Sequence, residues 1–199
     1  MTIHYGDPFA TPEEDRAPVR RLRGRLAAPV TLWTAPGPAG LTVSSMLVAD
    51  GEPGRVLGLL DEESELWPAL RAAGRFAVCV LTEGEQLLAD EFAGLAPAPG
   101  GPFAGKSWRE TEYGPVLAGD RTWAGCILDA WRGYGWAMLV EGTLAHIEFA
   151  ADAATTAPDA TTTPGSTTTT TRAATAAGSA RAASGPLVHY RGRYRRLGK

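Results

Sequence analysis

The chain has 199 residues, enough for one ordinary domain, and 44% of them are apolar, enough to bury a core. Its formal net charge of −3 excludes nucleic-acid binding driven by an overall basic field. No apolar run approaches the length of a membrane span, and the acidic start MTIHYGDPFATPEED lacks the basic and apolar regions of a secretory leader. A cytoplasmic protein with no membrane and no nucleic-acid partner is therefore expected.

In chain order, residues 1–14 read as a polar arm. From Asp15 to Leu26, the apolar residues Val19, Leu22 and Leu26 recur at helical spacing among Arg16, Arg20, Arg21, Arg23 and Arg25, which predicts an amphipathic helix or turn. Strand-like runs follow at Pro29–Ala35, Leu41–Ala49 and Arg55–Leu60, each closed by Pro, Gly or Asp. Connections this short favour antiparallel pairing, because a parallel crossover needs a dozen residues or more. Ser64–Gly74 reads as a helix with Leu66, Trp67 and Leu70 on one face and Gly74 just past its end. Phe76–Leu81 predicts a buried strand, Gly84–Phe92 a second amphipathic helix, and residues 93–119 a Pro/Gly-rich excursion. Thr122–Arg132 and Gly135–Phe149 form the longest strand pair, with Gly133–Tyr134 as the expected hairpin turn. Cys79 and Cys126 both sit in apolar runs and are expected to be buried, reduced thiols.

Residues 151–185 are dominated by Thr and Ala and hold almost no large apolar side chain, so they cannot bury enough surface to offset their ordering entropy. They are predicted to be a disordered insertion. Residues from Pro186 to Tyr194 read as a last strand returning to the same domain, which then comprises residues 15–150 and 186–199. The fold class expected is mainly β and antiparallel, with a few short helices.

One motif misleads. Gly100 to Ser107 matches GxxxxGK[ST] letter for letter, but a phosphate-cradling loop needs a buried strand before it and a helix after it. Here Pro97 and Pro99 precede it, and no apolar helical face follows, so nucleotide triphosphate hydrolysis is not expected. His4, His146 and His189 are scattered without metal-ligand spacing, and no metal site is predicted. The segment Gly40-Leu41-Thr42-Val43-Ser44-Ser45 is more informative. Three hydroxyls on an otherwise apolar strand are costly unless something hydrogen-bonds to them. Either local backbone or a ligand can do so.

The order of motifs resembles the flavin reductase family of FMN-binding split barrels. The residues that carry the resemblance are Gly40–Met46, Leu60–Leu66, Gly74–Leu81, the Phe103-Ala104-Gly105-Lys106-Ser107-Trp108 loop, and Tyr190-Arg191-Gly192-Arg193-Tyr194. They run in family order from about Arg25 to Leu197. The resemblance implies a Greek-key split β-barrel, a homodimer, bound FMN (or FAD), and hydride transfer from NAD(P)H to flavin. It also implies a flavin-dependent monooxygenase as a candidate partner. The implied cofactor-binding residues are Leu41, Thr42, Val43, Ser44, Ser45, Asp61, Ser64, Phe103 and Trp108. The nicotinamide candidates are Tyr134, Gly135, Trp136, Tyr190 and Arg193. No side chain is assigned acid–base work, because the cofactor carries the chemistry.

Three positions depart from the family pattern. Leu66 stands where the phosphate-loop Thr is expected and Cys79 stands where an Asn is expected. Gly135 stands where many members carry a His associated with the nicotinamide. Asp61, Glu62 and Glu63 suit a helix start but repel a phosphate. These departures leave a second reading open: a non-catalytic binder of flavin or of another planar cofactor such as haem or a deazaflavin.

Overall fold

The computed structural model describes residues 18–151 and 185–196. The polar arm and nearly all of the Thr/Ala tract lie outside these residues. Three helices are described: α1 (Pro18–Gly24), α2 (Leu66–Ala73) and α3 (Gln86–Phe92). The strands are β1 (Ala28–Pro29), β2 (Thr31–Ala35), β3 (Ala39–Val43), β4 (Met46–Ala49), β5 (Arg55–Leu60), β6 (Arg75–Val80), β7 (Trp108–Arg109), β8 (Val116–Leu117), β9 (Trp123–Tyr134), β10 (Ala137–Glu148), β11 (Val188–Tyr190) and β12 (Arg193–Arg195). Their pairing is antiparallel throughout, as the short connections predicted.

The main sheet has seven strands in the order β3-β2-β6-β9-β10-β5-β4. Laid flat, its edges would stand about 29 Å apart at roughly 4.8 Å per strand. Yet the edge strands β3 and β4 are consecutive in the chain, joined only by Ser44 and Ser45. Three Cα steps span at most about 11 Å. The sheet must therefore curl until its edges nearly meet, which makes an antiparallel barrel left open along one seam. A three-stranded sheet, β1-β11-β12, and the β7-β8 ribbon flank it.

β2 is buried on both faces, so its alternating side chains enter two different cores. Trp33 points into the barrel with Phe76, Leu60, Val56 and Val140, and α2 adds Leu66, Trp67 and Leu70. Leu32 points the other way, toward Leu81, Ala89, Phe92, Val116 and Leu187. Inside the barrel the Trp33 and Phe76 rings stack at 4.8 Å. Trp33 also reaches β5 on the far wall: a Cβ built on Gly58 would lie 2.4 Å from its ring. Gly142 on β10 is similarly covered by Phe76, at 3.0 Å. These glycines leave room for aromatic rings that tie opposite walls together. The Trp33 indole donates to the Thr31 hydroxyl at 3.1 Å, and that hydroxyl donates to the Val43 carbonyl at 2.7 Å, so the one polar group of the ring is satisfied.

Several sequence expectations change. Leu41–Ala49 is not one strand: β3 ends at Val43 and β4 starts at Met46, because the corner turns the chain from one edge to the other. The long hairpin turns at Gly135-Trp136 rather than Gly133-Tyr134, with Tyr134 paired to Ala137. Gly135 at φ +63° supplies the left-handed first position that a two-residue turn of this kind favours. The last segment is a hairpin, not a single strand; Arg191 (φ 53°) and Gly192 (φ 74°) turn β11 back into β12. α1 forms at the predicted site but over seven residues, and none of them is buried. α2 ends as predicted on a left-handed Gly74, whose N–H bonds to the Leu70 carbonyl. Both cysteines are free and buried, and burial pushes their thiols up, to about 11 for Cys79 and about 12 for Cys126.

Gly58→Val drives a side chain into Trp33 and is expected to destabilise the fold by about 1–3 kcal/mol. Gly133→Ala, at a position with open space around it, should stay within about 0.5 kcal/mol of the parent. Denaturant titration of the two variants checks this; equal midpoints would refute the packing argument.

Candidate functional site

The seam opens at the corner. β3 and β4 are the edges of the main sheet, so the backbone groups on their outer sides are not used by its ladder. Ser45 anchors the turn: its carbonyl accepts the Leu59 N–H and its hydroxyl donates to the Leu59 carbonyl, both at 3.0 Å. The Thr42 hydroxyl donates to the Ala89 carbonyl of α3 at 2.7 Å. Two of the three hydroxyls that stood out in the sequence are thus explained by backbone bonds. The half-buried Ser44 is different, since its hydroxyl has no hydrogen-bond partner among the described residues. Leu41, half-buried, supplies apolar surface on the same strand, whereas Val43 is buried in the barrel core.

Phe103 and Trp108 stand behind this strand. A Cβ on Gly40 would lie 2.6 Å from the Phe92 ring, so α3 and β3 are in close contact there. Phe103 packs on Phe92 and on Trp108, each at 4.9 Å between centroids, and the Trp108 indole donates to the Phe103 carbonyl at 2.8 Å. These aromatics buttress β3 against α3. The loop before them is not a phosphate cradle. Lys106 donates to the Pro102 carbonyl at 3.0 Å and pairs with Glu91 at 2.5 Å, and a strand rather than a helix follows.

The ladder brings the hairpin tip to the same end of the sheet as the corner. Ser45 bonds to Leu59, Leu59 pairs with Leu139, and Leu139 pairs with Arg132. Three strand spacings put Arg132 about 14 Å from Ser45 along the sheet, and the Gly135-Trp136 turn lies three residues beyond it. There Trp136 is fully exposed and Tyr134 is 56% exposed, with the Arg132 guanidinium over the Tyr134 ring at 5.3 Å. Trp131, which the sequence reading did not single out, meets Trp67 edge-on at 5.8 Å. Its signal in the sequence was weak: an aromatic on the solvent side of a strand, beside a helix whose Trp67 was already assigned to the core.

Asp61 and Ser64 lie at this end too, because Leu60 pairs with Met138. Their donors are turned inward. Asp61 accepts the Glu63 N–H at 3.0 Å, and both the hydroxyl and the N–H of Ser64 go to the Asp61 carbonyl, at 2.6 and 3.2 Å. With Asp61, Glu62, Glu63 and Glu65 all exposed, this loop presents carboxylates where a phosphate would need cations or free donors. Leu66, at the expected Thr position, is fully buried in the barrel core.

Tyr190 and Arg193 pair with each other on the smaller sheet. No strand pairing, hydrogen bond or ring contact among the described residues joins them to Tyr134–Trp136. They connect instead through α3: Tyr194 donates to Asp90 at 2.9 Å, one residue from the Ala89 carbonyl that holds Thr42. Burial and then Asp90 push the Tyr194 hydroxyl well above the usual phenol range, so it stays a donor at neutral pH. Among the described residues, no group of three or more His, Cys, Asp or Glu could hold a metal ion, and no helix is long and apolar enough to cross a membrane.

Comparison with known proteins places this curled, seamed antiparallel barrel. The family model for the flavin reductase like domain matches residues 23–198, and the chain belongs to this family. It is 34% identical over 117 residues to an FMN reductase (NADH) of Variovorax paradoxus, spanning 57% of this chain and 65% of that one. It is 32% identical over 111 residues to the reductase subunit of a flavin-dependent monooxygenase of Mycobacterium tuberculosis, spanning 54% and 58%. These matches span about three fifths of the length of the curated relatives. Among solved structures, an NADH:FAD oxidoreductase of Streptomyces globisporus shares the fold with a TM-score of 0.69 at 22% identity, over 97% of this chain and 96% of that one.

The two hydroxyls at the corner should separate by stability. Thr42→Val loses the bond to Ala89 and is expected to cost about 1 kcal/mol. Ser44→Ala removes no bond within the described residues and should leave the melting temperature unchanged. A Ser44→Ala loss as large as that of Thr42→Val would contradict the assignment.

Proposed function

We propose that this barrel binds a flavin with its ring at the Ser44-Ser45 corner and reduces it with NADH or NADPH. The observation that carries the reading is the open seam: unpaired strand edges, the half-buried apolar Leu41, and a Ser44 hydroxyl with no partner among the described residues. A planar ring with a polar rim needs apolar surface together with hydrogen-bonding groups along one edge, and the residues present fit it. Leu41, Thr42, Val43, Ser44 and Ser45 would hold the ring through backbone groups and the Ser44 hydroxyl. Phe103 and Trp108 would act from behind the strand by fixing β3. The phosphate is a poorer fit at Asp61–Ser64, whose donors face inward and whose neighbours are carboxylates.

A bound flavin supplies the electron-accepting centre. The protein's task is to hold the nicotinamide donor against it, which is positioning rather than acid–base work. Tyr134 and Trp136, at the same end of the sheet, offer aromatic faces for that donor, and Gly135 shapes the turn that presents them. Tyr190 and Arg193 would take part only from the α3 side. The monooxygenase relative supports delivery of reduced flavin to a separate oxygenase. Exposed Leu47, Val48, Ile127 and Ile147 support packing against a second copy of the chain. The non-catalytic reading keeps one specific support: the hairpin turn holds Gly135 at φ +63°, with no titratable side chain there.

Mixing the purified protein with FMN and NADH or NADPH and following nicotinamide absorbance tests the proposal. Consumption at least tenfold above the protein-free rate is expected. Quenching of FMN fluorescence without consumption would leave a flavin binder only; neither signal would overturn both readings. Ser44→Ala should weaken FMN affinity several-fold while the melting temperature holds.

A further inference from the structure

Beyond the barrel seam, the most polarised feature of the molecule is the arginine apron built by α1 and the β11-β12 hairpin. Arg20, Arg21, Arg23 and Arg25 lie on or just after α1, and Arg191, Arg193, Arg195 and Arg196 lie on the hairpin; all are exposed. Residues 18–29 and 185–196 contain no Asp or Glu. With −3 for the whole chain and +8 for these two segments, everything else carries −11. The fold joins the two arginine sets: β1 pairs with β11, Ala28 opposite His189, and the Arg191 N–H bonds to the Gly24 carbonyl at 2.6 Å. Among the described residues, Arg196 alone of the eight has a carboxylate partner, Glu83 at 3.7 Å.

Apolar side chains sit among these cations. Val19, Leu22 and Leu26 are 78%, 64% and 61% exposed. A seven-residue helix has little intrinsic stability, and α1 buries none of its residues within the chain. Arginines around an exposed aliphatic centre match the composition of a protein interface, where arginine is enriched and its planar fork binds carboxylates in pairs. The patch extends over about 10 Å of helix plus a neighbouring hairpin, more than one phosphate group occupies. A long polyanion is the poorer occupant: Tyr190 carries Arg191 over its ring, and Tyr194 is held by Asp90 and His189, so neither offers a free face for bases to stack on. The strongly negative remainder of the chain would also repel it.

We propose that the apron is the docking surface for a separate protein whose contacting face is acidic with an aliphatic centre. This holds whether or not the barrel turns flavin over. The full chain can be titrated into a labelled synthetic peptide of alternating Glu and Leu pairs, followed by fluorescence anisotropy, with oligo-dT of equal charge and anionic phospholipid vesicles as parallel probes. The peptide should bind, and the combined Arg20→Gln, Arg23→Gln, Arg195→Gln variant should bind it at least tenfold more weakly. Leu22→Ser should weaken it at least threefold at fixed salt, with melting temperature and FMN quenching unchanged in both variants. Peptide binding indifferent to these substitutions would overturn the proposal. So would tighter binding of oligo-dT or vesicles than of peptide, which would assign the patch to a polyanion or a lipid surface. A chain that sediments as a dimer until Leu22→Ser makes it a monomer would also overturn it, by giving the patch to a second copy.

Discussion

Two serines join opposite edges of a seven-stranded sheet, and much of the rest follows from that short link. A flat sheet cannot be spanned by it, so the strands must curl and the edges must face each other across a seam. The curl brings β2 and β5 to opposite walls, and Trp33 fills the space between them, resting on Gly58 and stacked on Phe76. Larger residues at Gly58 or Gly142 would push the walls apart. The Thr31 hydroxyl ties the same tryptophan to Val43, the last residue before the corner. Core packing and corner geometry are therefore one system.

The same link creates the open corner. Closed barrels leave no unpaired edges; this one leaves two, side by side, and turns the chain between them. Ser45 is used to hold the turn and Thr42 to hold α3, while the Ser44 hydroxyl has no hydrogen-bond partner among the described residues. The long β9-β10 hairpin carries its aromatic tip to the same end of the sheet. On the proposed reading, a flavin at the seam and a nicotinamide against the hairpin would meet as a hydride transfer between two cofactors requires, with no acid or base needed from the protein.

Most of the element list could be read from the sequence, because β-branched runs, Pro/Gly closures and the Leu66-Trp67-Leu70 face are local signals. What could not be read is where a strand changes partners. Leu41–Ala49 looks continuous because nothing local marks the switch from pairing with β2 to pairing with β5; only the closure of the sheet imposes it. The Gly133-Gly135 choice failed for a similar reason, since either glycine could turn the hairpin and the register with β5 decides. At the site, the hydroxyl-rich strand stood out, yet the division of labour among Thr42, Ser44 and Ser45 depends on Ala89 and Leu59, residues 47 and 14 positions away. Asp61 to Glu65 was already out of character for a phosphate loop, and its inward-turned donors explain why it tolerates so many carboxylates.

The central claim is that the seam at the corner seats the flavin ring. Backbone hydrogen exchange with and without FMN addresses it most directly. The account predicts new protection at Leu41–Met46, with little change at Gly100–Ser107. Protection gained on the 100–107 loop or the β11-β12 hairpin while residues 41–46 stay unchanged would contradict it.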